Sequence, residues 1–123
     1  MRGLDLKAMA VDQLVERFIE ICLGQDEALL DDDLAKFRRL FEQMRAVLDE
    51  LKSRPDDQRT ALIALYEHPN IQVRLKAAKN TLAVAPAEAQ EVLEAIKASQ
   101  WYPQAMEAGM CLRNLESGLF EPS

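Results

Sequence analysis

Residues 69–82 have the sequence PNIQVRLKAAKNTL, and their pattern decides the predicted fold. On a helical wheel of about 100° per residue, the apolar and small side chains of this segment cover a wide arc. An arc this wide indicates a helix in contact with more than one neighbour, and the alanines allow those neighbours to approach closely. Arg74 falls inside the arc, where burial of an unpaired charge would be costly. We therefore predict that Arg74 forms a structural ion pair. Its candidate partners are Asp56, Asp57 and Glu67.

Helical spacing continues on both sides of this segment. Apolar residues recur at the i, i+3, i+4 and i+7 positions that line one face of a helix, and no segment shows the alternation typical of a strand. The first two predicted helices start at Val11 and Leu34. The third runs through Leu62–Tyr66, and the fourth covers Ile71–Val84. The fifth starts at Pro86, and the sixth covers Gln104–Glu116. Gly118 is the predicted C-terminal cap of the last helix. The sequence thus predicts an all-α fold of about six helices.

The composition is that of a soluble, globular chain. Its 123 residues are 49% hydrophobic and 29% charged, with a formal net charge of −6. This length is typical of one domain, so we predict a single domain over residues 1–123, with a loose N-terminus at residues 1–10. No run approaches the roughly 18 apolar residues of a membrane span, and charged residues interrupt the N-terminus where a secretion signal would be apolar. We expect a cytoplasmic protein that does not contact a membrane.

The pattern P-N-x-x-V-R-x-x-A-A-x-x-x-L, which occupies residues 69–82, resembles the second helix of a HEAT repeat. The resemblance implies a HEAT/armadillo-like, right-handed α-α superhelix of three antiparallel helix pairs, in which the arginine pairs with an acid from a nearby repeat. It covers residues 55–84 well and residues 86–118 loosely, and residues 11–51 would form an atypical terminal pair. The chain also resembles a small bacterial family of unassigned function with this fold. The resemblance therefore implies a fold and no activity.

Cysteine and histidine are too few for a recognisable catalytic or metal site. Cys22 and Cys111 fall on helical segments and are expected to be small, buried apolar groups. His68 is the single histidine and precedes Pro69 in a turn, where surface exposure or capping is expected. The sequence has no phosphate-binding glycine loop, dinucleotide motif or nucleophile elbow. We expect neither enzymatic activity nor a bound cofactor or metal.

Charge is distributed unevenly along the chain. Residues 36–79 carry ten basic and six acidic side chains, whereas the segments on either side are acidic. One interpretation is a solvated helix face with intrahelical ion pairs, such as Arg38 with Glu42 and Arg45 with Asp49. The other is a positive surface that binds an acidic protein segment or a nucleic-acid backbone. The residues of that candidate surface are Lys36, Arg38, Arg39, Arg45, Arg59, Lys76 and Lys79.

Trp101 and Tyr102 form a second candidate contact, just before Pro103 in an irregular connection. They either fold back over the last helix pair or anchor an interface, where both residue types are enriched. We predict a protein–protein interaction module, with another protein or a second copy of the chain (a homodimer) as its partner. Two alternatives stay open: a nucleic-acid-backbone binder that uses residues 36–79, and a small immunity-like or antitoxin-like inhibitor. The negative net charge and the few aromatic residues disfavour nucleic acid.

Overall fold

The computed structural model describes residues 5–123, and this part of the chain contains helices and no β-strand. The all-α prediction is therefore confirmed. The α-helices are α1 (Val11–Leu30), α2 (Leu34–Ser53), α3 (Ile71–Lys79), α4 (Pro86–Ser99) and α5 (Gln104–Ser117). Two 3-10 helices cover Leu6–Ala8 and Gln58–Glu67. The superhelix with three helix pairs stays a prediction. None of the helices described combines the length and the apolar character needed to cross a membrane.

The chain divides into two compact units. The first unit ends at Ala61 and the second unit spans Leu62–Ser123. The prediction of a single domain over residues 1–123 stays a prediction. The loose N-terminus predicted at residues 1–10 lies partly outside the described residues. Leu6–Ala8 is helical, and its 3-10 turn is capped by the Asp5 side chain.

The first unit consists mainly of α1 and α2, which pack against each other. Each helix buries part of the apolar stripe that its sequence spacing predicts, including Phe18 in α1 and Val47 in α2, whereas Phe41 of the α2 stripe stays exposed. Gly24 lies within α1, where a Cβ atom would stand 2.9 Å from Cδ1 of Leu40. A glycine is therefore tolerated inside this helix because it lets α2 come close, at some loss of helix propensity.

The second unit is built around α3, which contacts both α4 and α5. As the wide arc predicts, α3 is buried on most sides. Its buried residues are Gln72, Val73, Leu75, Lys76, Ala77 and Ala78. Asn70 starts the helix, since its side-chain oxygen accepts hydrogen bonds from the backbone N–H groups of Gln72 and Val73. His68 assists this turn by accepting the Asn70 N–H at Nδ1, which fits the expected capping role.

Two predicted helices differ from the structure in type or length. The segment through Leu62–Tyr66 is part of a 3-10 helix, whose three residues per turn place the buried Leu62 and Leu65 on the same side. The helix predicted to reach Val84 ends at Lys79. The Thr81 hydroxyl donates to the carbonyl of Ala77 at 2.8 Å, which replaces the backbone hydrogen bond that would continue the helix.

The prediction that Arg74 pairs with a carboxylate is wrong. Arg74 donates from Nη1 to the backbone carbonyls of His68 at 2.8 Å and Pro69 at 3.0 Å, so the preceding turn satisfies its guanidinium group. Glu67, the candidate acid in the same unit, is exposed and forms no ion pair in the part of the chain that the structure describes. Of the two candidates in the first unit, Asp57 pairs with Arg59 at 2.6 Å, and Asp56 is exposed.

Candidate interaction groove on the last helix

Several of the basic residues predicted to form an interaction surface are neutralised by neighbouring acids. Lys36 binds Glu27 at 2.9 Å, and Arg59 binds Asp57 through both carboxylate oxygens. Each hydrogen bond holds the pKa of its carboxyl below the usual value, because it stabilises the charged form. These cations are therefore less available to a nucleic-acid backbone than the sequence suggests.

Three of the predicted basic residues keep exposed charges on α2: Arg38, Arg39 and Arg45. They form no ion pair within residues 5–123, so the predicted pairs with Glu42 and Asp49 are not made there. These arginines belong to the first unit, whereas Lys76 and Lys79 belong to the second.

The second unit carries a surface cavity of about 520 Å³ along α5, here called the α5 groove. Its lining residues are Lys79, Pro103, Met106, Glu107, Met110, Cys111, Asn114 and Phe120. Met106 and Met110 lie one helical turn apart and are 59% and 48% exposed. Methionine side chains are flexible and polarisable, so a surface that contains them adapts to apolar partners of different shapes.

Exposed apolar residues flank the helix that forms the groove. Trp101 and Tyr102 precede it and are 66% and 62% exposed. This exposure contradicts the interpretation that they fold back as a cap, and it fits the interpretation that they anchor an interface. Leu119 and Phe120 follow the helix and are also exposed.

The end of α5 positions the aromatic wall of the groove. Gly118 caps the helix with a φ of 83°, a left-handed conformation that favours glycine, and this confirms its predicted role. The backbone N–H of Phe120 then donates to the carbonyl of Asn114 at 3.0 Å. The chain therefore turns back after the cap, and Asn114 and Phe120 both line the groove.

Two lysines share one carboxylate at the groove. Nζ of Lys76 lies 2.6 Å and Nζ of Lys79 lies 2.9 Å from Oε2 of Glu107. Burial raises the pKa of Glu107, but the positive charges of both lysines outweigh that effect and hold the pKa below its ordinary value. Glu107 is therefore ionised at neutral pH, and the three side chains together carry one surplus positive charge.

The burial of Lys76 corrects its predicted place on an exposed surface. Its side chain is only 8% exposed, and Glu107 reaches its ammonium group from α5. Lys79 remains the accessible cation of the three, with about a third of its side chain exposed, and it lines the groove. Of the two lysines, Lys79 is therefore the one that a ligand can reach.

Neither cysteine forms a disulfide within the described residues, and both are buried, as expected. Cys111 lines the groove, where burial raises the pKa of its thiol. The thiol is therefore protonated at neutral pH and serves as a small apolar surface. Within residues 5–123, no group of three or more histidine, cysteine, aspartate or glutamate side chains is placed to hold a metal ion.

Sequence reasoning singled out Trp101 and Tyr102 but missed the groove beside them. A signal was present, since Met106 and Met110 are spaced four residues apart and follow the aromatic pair closely. The pairing of Glu107 with Lys76 could not be predicted from the sequence, because Lys76 lies 31 residues earlier in the chain.

The fold and the groove define a small all-α protein with an exposed apolar surface along its last helix. The chain belongs to the family described as Domain of unknown function (DUF2019), whose model matches residues 12–116. It is similar to the protein RPA1889 from Rhodopseudomonas palustris CGA009, known from a crystal structure. The two chains are 54% identical with a TM-score of 0.95, and the match covers 98% of this chain and 100% of the other. Comparison with curated proteins gave no match.

Proposed function

We propose that this protein is a protein–protein interaction module that binds its partner through the α5 groove. The observation that carries the proposal is the group of large apolar side chains exposed along and beside α5. These residues are Trp101, Tyr102, Met106, Met110, Leu119 and Phe120. Large apolar side chains that are exposed together on one element are typical of interaction sites.

The composition of the groove and of the apolar residues that flank it supports a protein partner. Tryptophan, tyrosine, phenylalanine and methionine are the residue types enriched at the centres of protein interfaces. The aromatic side chains supply a large contact area and lose little conformational freedom when they are covered. The flexible methionines adapt to the shape of the partner. Lys79 and Asn114 provide polar groups for orientation at the same surface.

A pull-down tests this proposal. The tagged full chain is incubated at low salt with a native lysate of the source cells, and the retained proteins are quantified by mass spectrometry. The double variant Met106→Gln/Met110→Gln removes the apolar wall but keeps side-chain length and helix propensity. Leu30→Gln, at an exposed apolar residue of the first unit, is the matched control.

We expect one stoichiometric protein to be retained by the wild type and by the control variant and to be lost with the double variant. Circular dichroism and thermal melting establish that each variant is folded. Retention of the same protein by all three chains would overturn the proposal, as would recovery of nucleic acid alone.

A parallel experiment tests the predicted homodimer. Light scattering at micromolar concentration gives the mass of the wild type and of the double variant. A dimer that dissociates in the double variant identifies a second copy as the partner. A monomer in both cases ends the homodimer prediction and directs attention to a different protein.

A further inference from the structure

We propose, on the basis of the function just proposed, that the α5 groove receives a peptide segment in which a carboxylate lies close to a large apolar side chain. The apolar side chain packs against Met106 and Met110, and the carboxylate pairs with Lys79. The partner is thus an acidic segment with an apolar anchor, not a basic or purely apolar one.

Charge complementarity is the first argument. Lys76 and Lys79 both bind the same oxygen of Glu107, so one carboxylate faces two ammonium groups. Lys76 is almost fully covered, which leaves Lys79 as the cation at the groove surface. A carboxylate from a partner would balance this surplus charge, whereas a basic segment would add to it.

The placement of that charge is the second argument. Lys79 lines the same cavity as the two exposed methionines and Phe120. A ligand that fills the cavity therefore meets apolar surface, the ammonium group of Lys79 and the carboxylate of Glu107 that the two lysines share. Ion pairs that are partly desolvated by neighbouring apolar groups are screened less by salt than exposed pairs, so this contact can discriminate between segments.

A second cavity in the same unit shows the opposite electrostatics. It has a volume of about 280 Å³ and lies between α4 and α5. Its lining residues are Gln90, Glu94, Leu112, Leu115 and Glu116. Its only charged groups are carboxylates, so it does not attract an acidic segment. The selectivity that we propose therefore belongs to the α5 groove.

Selection of displayed peptides tests the inference. A random library of peptides of about twelve residues, the scale of a groove-binding segment, is selected against the full chain. The enriched peptides are then synthesised, and their affinities are measured by fluorescence anisotropy at two salt concentrations. The protein variants are Lys79→Gln, Met106→Gln/Met110→Gln and the control Lys97→Gln, which removes an exposed lysine of α4 outside the groove.

We expect the enriched peptides to share an aspartate or glutamate within about four residues of a large apolar residue, as one helical turn or a short extended segment allows. The double methionine variant should weaken binding about tenfold or more. Lys79→Gln should weaken it about fivefold and reduce its salt dependence, whereas Lys97→Gln should change it less than about twofold. Replacing the peptide's acid by its amide should produce no additional loss in Lys79→Gln, because the two changes remove the same contact.

The outcomes separate this inference from the proposed function. If enriched peptides lack acids, or if Lys79→Gln behaves like Lys97→Gln while the double methionine variant still loses affinity, the inference is wrong and the groove remains a docking surface. If the double methionine variant retains full affinity for the selected peptides, the groove is not the docking surface and both proposals are overturned. Enrichment of no peptide at all overturns the inference, and the pull-down then decides the proposed function alone.

Discussion

Gln100 illustrates at the scale of one residue how helix ends are formed in this chain. It ends α4 in the left-handed region, with a φ of 59°, although it is not a glycine. A side chain in this region is crowded by its own backbone at a cost of roughly 1–2 kcal/mol. Glycine has no Cβ and avoids that cost, although it loses more freedom on folding.

We predict that Gln100→Gly stabilises the chain by about 0.5–1 kcal/mol, because relief of the left-handed strain exceeds the added entropy loss. The measurement is the midpoint of thermal unfolding by circular dichroism, which should rise by about 2–6 °C. Ser99→Gly, one residue earlier and inside α4, is the control and should lower the midpoint. A lower midpoint for Gln100→Gly would show that its side chain contributes more than its backbone costs.

At the scale of secondary-structure elements, a pair of salt bridges links α3 to α5. Glu107 on α5 binds Lys76 and Lys79 on α3, and its pKa lies below its ordinary value of 4.5. A carboxyl whose pKa is depressed by folding stabilises the fold above the unfolded pKa. This stabilisation is lost as the pH falls through the folded pKa.

We predict that Glu107→Gln destabilises the chain at neutral pH by about 1–2 kcal/mol, because Lys76 stays buried without a counter-charge and solvent screens only part of the effect. The difference between wild type and variant should shrink as the pH falls from about 6 to about 3. Urea unfolding at several pH values measures this difference in the free energy of unfolding. Glu91→Gln, at an exposed acid of α4, should match the wild type throughout.

The elements also show what can be predicted from sequence. The starts of α1, α2 and α4 and the Gly118 cap agree with the predictions, because local features determine them: apolar spacing in α1, the Asp33 cap of α2 and the first-turn Pro86 of α4. The early end of α3 was missed, because it depends on hydrogen bonds from the Thr81 hydroxyl to backbone carbonyls and not on apolar spacing. The pairing of Lys76 was missed because a wheel shows which side is buried but not which neighbour covers it.

Charge is the property that matters most for partner class at the scale of the whole molecule. The net charge is −6, and four of the seven predicted patch residues are ion-paired: Lys36, Arg59, Lys76 and Lys79. Binding to a nucleic-acid backbone depends on basic side chains that replace counterions. The remaining arginines on α2 are few for that purpose.

We predict no retention of a labelled DNA duplex by the full chain, even at low salt, where such binding is strongest. A gel-shift titration measures this directly. A salt-sensitive shift that Arg38→Gln or Arg45→Gln abolishes would make the α2 surface the functional one. It would also restore the nucleic-acid alternative.

The most direct test of the α5 groove follows individual methionine methyl groups by nuclear magnetic resonance. The chain has 5 methionines, of which Met106 and Met110 line the groove, while Met44 is buried in the first unit. The full chain is labelled at its methionine methyl carbons and titrated with the captured partner or a selected peptide, and the Met106→Gln and Met110→Gln variants assign the signals. We predict that the signals of Met106 and Met110 shift while those of Met9 and Met44 stay in place. Shifts at Met9 or Met44, with both groove signals unchanged, would contradict the account.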